Sequence, residues 1–574
     1  MGSVRNIILA LFAINLVALL FTGFKVAKTN NLRSNQQEAF NLWYESASSN
    51  AYRFDDPVRA YWLLEKLDVF SVLDQKLSRA NYSRSAGGFT LNKNYCDQHR
   101  AYFVNHPEIV FEQQNIMTNY WRRHSLRQQV FPIMGAVDLH PDVFPGPDST
   151  KPQYKFGMNL TASMFYTYNL FYYQKQIGKE FSCLSQASNH IPGHDGMYRK
   201  DKNAGALVKY VDSYKSRPQC FSFDRFFLRT WILSQKDQCE RFFAEFNSPR
   251  YQQMKEERNV VYFRKIGADA HEGSGVFPVT DDEEAHIRKI YKNGQLCGQN
   301  KENNLMQYNV WNPLLVQNRK FGFRMFMLVA STNPLIAYYH DGYLRLSIDP
   351  YNPKSKDKTT FVTNIGVSLK EAKKDNLFDG MTEKEIHEYT AWSLEQLQDY
   401  LIERGLVQDP NWLNNYLRPQ FKKVMMHLLR MAQSQFAKKS SVFELLGLDY
   451  VMDDQMGVWF IEANTMPLID GFTKNTTKMF NKMLVDTFEI VYGLLRSRMK
   501  RVIQYINYLN QELDRTAMNT IPNLKKRQEE FKLLTTNRFE PEFKPSPQNG
   551  FDVIIDENQS GTARYANLLE AECF

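Results

Sequence analysis

At 574 residues and 67.4 kDa the chain can bury more than one hydrophobic core, and the usual domain size suggests about three or four units. A composition of 43% apolar, 14% aromatic and 23% charged residues excludes wholesale disorder. The formal charge of +9 favours an acidic partner without choosing among nucleic acid, anionic lipid, nucleotide and acidic polypeptide, and six cysteines with neither a CxxC pair nor zinc-like spacing indicate no metal knuckle and no dense disulfide framework, which fits a reducing compartment.

Near the start, "IILALFAINLVALLFTGF" (residues 7–24) is uncharged and just long enough to span a hydrocarbon core as a helix. No A-x-A-like cleavage site is evident. Lys25, Lys28 and Arg33 follow the stretch and only Arg5 precedes it, so the expectation is an uncleaved membrane anchor with the body on the cytosolic side. A cleaved signal peptide with a lumenal or secreted body is the alternative. Residues 31–184 mix polar and aromatic segments of unassigned fold, with "LHPDVFPGPDSTKPQ" (139–153) as a loop. No internal repeat is present, which removes solenoid architectures.

Beyond residue 200, strand-like and helical runs alternate. "RTWIL", "NVVYFRKI", "FGFRMFMLVAS", "LIAYYH" and "YLRLSI" carry strand patterns, whereas "KDQCERFFAEF", "TEKEIHEYTAWSLEQLQDYLIERG" and "FKKVMMHLLRMAQSQFAKK" carry helical periodicity. The mixed order predicts an α+β enzyme-like body. A long amphipathic helix is expected over residues 478–513, its Arg496, Arg498, Lys500 and Arg501 forming a solvated basic face or a binding surface. "PEFKPSPQNGFDVIIDENQSG" reads as a tail or extended arm.

Between the last two helical runs lies "FELLGLDYVMDDQMGVWFIEANTMPLID" (443–470), in which Asp453–Gly457 is turn chemistry between two runs of β-formers. If Asp453 pairs with Val458 across a four-residue loop, Asp449 lies opposite Glu462 with Cβ atoms about 5 Å apart, and Asn464 shares the face of Glu462. Two neighbouring carboxylates repel unless a cation compensates them, and Mg²⁺ takes hard oxygen ligands completed by phosphate and water. The cluster points to a nucleotide–metal site; acids at a solvated sheet end are the alternative. Lys265 precedes a loop containing Gly267, Gly273 and Gly275, suited to phosphate or simply a turn. Lys320 and Arg324 share parity on a mostly apolar strand and need anions, either phosphates or the hairpin's acids; Arg345 repeats the pattern. No Ser/His/Asp, Cys/His or HExxH arrangement supports hydrolase chemistry, and no aromatic-interleaved basic motif supports nucleic-acid binding.

Taken in order, "NHIPGHDGMYRKD", "FFLRTWIL", "VVYFRKIGADAHEGSG", "MQYNVWNPLLVQNRKFGFRMFMLV", "GYLRLSIDPY", "FVTNIG" and the hairpin resemble the tubulin–tyrosine ligase-like family, amino-acid ligases on an ATP-grasp scaffold, over roughly residues 185–500. The resemblance implies ATP and Mg²⁺ as cofactors. It implies that Lys200 and Lys265 contact phosphates, that Gln307 and the backbone near Asn309 hold adenine, and that Lys320, Arg324 and Arg345 bind phosphate and the developing acyl phosphate. Asp449, Glu462 and Asn464 would ligate Mg²⁺, and Asn364 would lie near the incoming amino acid. The implied reaction joins glutamate, glycine or tyrosine to a protein carboxylate, such as that of a tubulin tail. The implied division is an anchor (1–30), an unassigned region (31–184), a family N-terminal subdomain (185–260), the ATP-grasp subdomains (261–475), and a basic helix with a tail (476–574). Three departures stand out: Gly322 replaces the family's aspartate between Lys320 and Arg324, Glu272 occupies a loop that is usually basic, and "FVTNIG" lacks the tyrosine after its asparagine. These motivate a rival reading, an inactive ATP-grasp pseudo-ligase acting as a membrane-tethered scaffold.

Overall fold

The computed structural model describes residues 53–68, 90–107, 114–118, 126–138, 162–166 and 183–573, the last with breaks at 222–224, 267–274, 301, 303, 362, 364–381, 439–440, 466, 470–472, 514–519, 541–542 and 571–572. Helix α1 (Pro57–Leu67) starts at Asp56, whose side chain accepts from the Arg59 amide, with proline in the first turn. Helix α2 (Thr90–Asn105) follows, then strands β1 (Asn115–Thr118), β2 (Val137–Asp138), β3 (Met164–Tyr166) and β4 (Ala187–Asn189). The short α3 (Asp195–Tyr198) and α4 (Lys200–Ser213) lead to β5 (Thr230–Ile232), α5 (Lys236–Phe246), α6 (Pro249–Glu257), β6 (Tyr262–Ile266), β7 (Val276–Pro278), α7 (Asp281–Tyr291) and β8 (Asn304–Tyr308). Next come β9 (Leu315–Val316), β10 (Arg319–Thr332), β11 (Leu335–Leu346), α8 (Glu383–Thr390), β12 (Ala391–Trp392), α9 (Leu394–Glu403), α10 (Arg418–Ala432), β13 (Val442–Met452) and β14 (Val458–Asn464). Helices α11 (Lys474–Glu512) and α12 (Leu524–Leu534) and strand β15 (Asp552–Asp556) complete the chain.

The result is a mixed α/β architecture with two sheets. The large sheet runs β12-β11-β10-β13-β4-β3-β1-β2, with β14 also on β13, β15 on β11 and β9 on β10; the small one runs β5-β8-β6-β7. Strand β13 is the junction: β10 lines one edge, and β4 and β14 share the other. Both faces of the β10–β13 region are covered, as its near-continuous apolar sequence requires. Phe321, Phe323, Met325, Met327 and Val329 of β10 join the core under α10, where Phe323 meets Phe421 edge-on at 5.0 Å. Phe326, Leu328 and Ala330, of opposite parity, join the core under α11, with Phe326 5.9 Å from Phe480. Lys320, Gly322 and Arg324 continue this second face past the end of its apolar run.

Several expectations change in three dimensions. "LIAYYH" and "YLRLSI" are one strand, β11, because Gly342 lets the chain pass against β10: a Cβ there would lie 1.7 Å from the Arg324 carbonyl oxygen. The helical run over 382–405 is broken into α8 and α9, each opened by a capping box, at Thr382 and Ser393. Within the region of unassigned fold, β1–β3 extend the large sheet in parallel from β4. The expected tail pairs instead as β15 with β11. The basic stretch of α11 is neither a solvated face nor a binding surface. Arg498, Lys500 and Arg501 are buried; Arg498 donates to the Gln186 carbonyl (2.9 Å) and the Asn537 side chain (3.2 Å), and Arg501 pairs with the equally buried Glu540.

The membrane-anchored body with a cytosolic face is also corrected. Among the described residues no helix is long and apolar enough to cross a membrane, and residues 7–24 lie outside them. All six cysteines are bridged, Cys96–Cys183, Cys220–Cys573 and Cys239–Cys297, with Cα separations of 5.5–5.6 Å. Such bridges persist in oxidising surroundings, which overturns the expected reducing compartment. No thiol should therefore react with a maleimide until the chain is reduced. Glu540→Ala, which strands the buried Arg501, should cost about 3–5 kcal/mol in urea unfolding, whereas Arg501→Met with Glu540→Leu should cost far less.

Candidate active site

Asp449 and Glu462 are opposed across β13 and β14, and Gly447 is opposed to Asn464. The route to that pairing differs from the one expected. At the turn Met452, not Asp453, pairs with Val458, and a bulge between Tyr450 and Asp449 restores the register by one residue. Asp453 instead caps the turn, accepting from the Gly457 amide (2.6 Å) and the Trp459 indole (2.7 Å).

Asp449 is held by two guanidinium groups. Arg324, its partner across β10, donates through Nε to Oδ1 (2.5 Å) and through Nη2 to Oδ2 (2.9 Å), and Arg345 of β11 donates to Oδ1 (2.7 Å). This fork geometry fixes the carboxylate plane. Burial pushes Asp449 up, but the charges of Arg324 and Arg345 outweigh it and hold the carboxyl below the usual carboxylate range. Burial likewise pulls Arg324 down, and Asp449 more than restores it. The amide of Asn464 reaches Asp449 Oδ2 at 3.5 Å. Glu462 has no hydrogen-bond or ion-pair partner among the described residues.

Facing these acids are lysines with little to neutralise them. Lys265 at the end of β6 is 5% exposed and among the described residues donates only to the Ile461 carbonyl (3.4 Å); burial pulls it down to about 8, opposed by Glu462 and reinforced by Lys200. Lys320 is 4% exposed, reaches the Asn309 side-chain oxygen (3.5 Å), lies 5.9 Å from the centre of the Phe263 ring, and is pulled down to about 8 by burial. The Nε of Arg345 is buried without a partner among the described residues. Uncompensated buried cations of this kind suit an anionic ligand.

Between β14, the small sheet and α4 lies a narrow, solvent-open cleft, lined by Lys200, Lys265, Gln307, Thr230, Tyr198, Phe460 and Glu462 among others. Gln307 donates to Thr230 Oγ1 (3.0 Å), and Asn309 is tied by its side chain to the Val260 carbonyl (3.0 Å) and by its amide to that of Val261 (2.9 Å). The structure thus gathers Lys200, Lys265, Gln307 and Glu462 on the cleft wall, with Lys320 and Asn309 in contact with each other and Arg324, Arg345, Asn464 and Asp449 joined beside them. Asn364 and the loop carrying Gly267, Glu272 and Gly273 lie outside the described residues. Sequence reasoning passed over Thr363: a Cβ at Gly322 would meet its Oγ1 at 2.7 Å, so this hydroxyl fills the space a side chain at 322 would take. Its signal was adjacency to Asn364 in "FVTNIG". Tyr198, Thr230 and Phe460 were missed as lining because only distant chain segments bring them together.

No group of three or more His, Cys, Asp or Glu side chains suited to a metal exists among the described residues. Two carboxylates and an amide are donor types that a hard cation takes together with phosphate and water, while both oxygens of Asp449 are engaged here by Arg324 and Arg345. This is a mixed α/β protein whose inter-sheet cleft sets acids against buried cations. The chain belongs to the tubulin-tyrosine ligase family, whose model matches residues 179–501. It is 26% identical over 341 residues to the human protein named inactive polyglycylase TTLL10, covering 55% of this chain and 46% of that one. It is 27% identical over 326 residues to the protein polyglycylase TTLL10 of Macaca fascicularis (54% and 49%), and 26% identical over 254 residues to the human tubulin monoglycylase TTLL3 (43% and 30%). The chain spans about half the length, or less, of these relatives.

The two lysines make anion binding pH-dependent. Without ligand each costs stability at neutral pH, and the cost fades as pH rises from about 8 towards the ordinary lysine value of 10.5. A polyphosphate favours the protonated ammonium, so its affinity should fall as pH rises through 8 and its binding at that pH should take up protons. Calorimetric titration in two buffers of different ionisation enthalpy measures that uptake.

Proposed function

We propose that the chain is an ATP- and Mg²⁺-dependent ligase of ATP-grasp type that joins an amino acid to a carboxylate of an acidic protein acceptor. The observation that supports it most is the pairing of Asp449 with Glu462, with Asn464 alongside, opposite the buried Lys265 and next to Arg324 and Arg345. Glycine is the first amino acid to test and a tubulin tail the first acceptor, because the similar proteins are named as glycylases, two of them without the word inactive. In this reading residues 185–260 form the N-terminal subdomain and 261–475 the ATP-grasp subdomains.

Mg²⁺ on Asp449, Glu462 and Asn464 would neutralise phosphate charge. Lys200, Lys265 and Lys320 hold the phosphates of ATP, and Gln307 and the backbone at Asn309 hold the base. The acceptor carboxylate attacks the γ-phosphorus and ADP leaves, giving an acyl phosphate. The amine of the amino acid then attacks the carbonyl carbon, phosphate leaves with the electron pair of the C–O bond, and an amide forms. Arg324 and Arg345 are assigned to stabilising the acyl-phosphate oxygens, and Asn364 to the incoming amino acid. No protein nucleophile is required; positioning and charge stabilisation suffice.

Gly322 and the tight occupation of Asp449 by two arginines favour a second reading, an inactive member that binds nucleotide without ligating. Purified chain incubated with Mg-ATP, tubulin and labelled glycine, glutamate or tyrosine decides between them. Incorporation that drops at least about a hundredfold in Glu462→Gln is the expected outcome for the ligase. ATP-dependent thermal protection without incorporation of any of the three supports the inactive reading.

A further inference from the structure

Upstream of Asp449 in the same strand, Glu444 is 1% exposed and has no part in the chemistry above. Its partners come from one short segment. His190 Nδ1 lies 3.1 Å from Oε1, and the Ile191 amide donates to Oε2 at 3.1 Å; His194 Nε2 is 3.4 Å from the same oxygen but makes no hydrogen bond to it. Asn189 reaches His190 Nε2 from the far side of the ring at 3.0 Å. The other titratable groups near this cluster are Tyr166 of β3 and Asp195 and Tyr198 of α3. Carboxylate oxygens buried to this degree need such donors to offset their lost hydration.

The same segment is closed from the opposite side. Gly193 adopts φ 85°, and a Cβ there would lie 1.9 Å from the Gln435 carbonyl oxygen, so only glycine fits. The Ala437 amide donates to the Pro192 carbonyl at 2.8 Å. Downstream, Asn203 of α4 donates to the carbonyls of Gly196 (3.0 Å) and Met197 (3.2 Å), locking α3 to α4. Met197, Tyr198 and Lys200, carried by this locked unit, line the cleft. A continuous chain of contacts thus runs from a buried carboxylate in β13 to a lysine at the cleft wall.

We propose that Glu444, gripping His190 and the Ile191 amide, is a positioning residue that sets where Lys200 meets an anionic ligand in the cleft. The role rests on the nucleotide-binding reading above. The test is a double-mutant cycle in the full chain, reading the Kd for Mg-ATP together with the melting temperature. Glu444→Gln and Lys200→Ala should each weaken binding about tenfold, and the double variant should bind no worse than Lys200→Ala alone. Hydrogen exchange of the amides at 191–200 should accelerate in Glu444→Gln. A merely structural role would lower the melting temperature and leave the Kd of the folded chain unchanged; that outcome, or additive losses, overturns the proposal. If Glu444→Gln does not fold, His190→Gln carries the same comparison. Wild-type chain that binds no Mg-ATP defeats the nucleotide reading itself, and the positioning role with it, whereas normal wild-type binding with an unchanged Kd in Glu444→Gln defeats only the latter.

Discussion

A single carboxylate, shared by two guanidinium groups, knits together the strands beside the cleft. Asp449 sits on β13, Arg324 on β10 and Arg345 on β11, so their ion pairs cross-link three strands where β14 opens onto the cleft. Buried charges are tolerated only when neutralised nearby, and here the neutralisation is complete for Asp449 and left incomplete for Lys265 and Lys320. That imbalance separates a rigid anionic post from cations held ready for a partner. The small sheet presents Lys265 and the large sheet presents Lys320, so a polyanion between them would bridge the two layers.

Much of this was legible in the chain. Alternation along "RKFGFRMFMLV" predicted that Lys320 and Arg324 share a face, and the strand periodicity of the hairpin predicted that Asp449 and Glu462 meet. The meeting is real, yet the turn register behind it was off by one and a bulge made up the difference. Local turn chemistry could not reveal the bulge, since Ile461 carries no glycine or proline to mark it. Gly322 was readable as a departure, but Thr363, which fills its space, was not, because nothing in local spacing ties position 363 to position 322.

The misjudged features share a cause: each depends on what lies across the fold. In a helix pattern Arg498, Lys500 and Arg501 look like a solvent face, and only the return of the 536–540 segment supplies Glu540 and the carbonyls that bury them. Cysteine spacing was uninformative for the same reason, since the bridges join positions 87, 353 and 58 residues apart and leave no short motif. Glu444 escaped notice because one acid in an apolar strand resembles many others until the histidines of a distant loop close around it.

The final stretch of chain has a consequence for handling the protein. Strand β15 covers the edge of β11 from Ile336 to Tyr339, and Cys573 ties that stretch back to Cys220. A chain made without the residues from Asp552 onward would carry a bare, tyrosine-rich sheet edge together with an unpaired Cys220. Both invite self-association, one by strand addition and the other by intermolecular cross-linking, so such a truncation would first appear as loss of the monomer from solution, whereas a single backbone cut would leave the fragment held by the bridge.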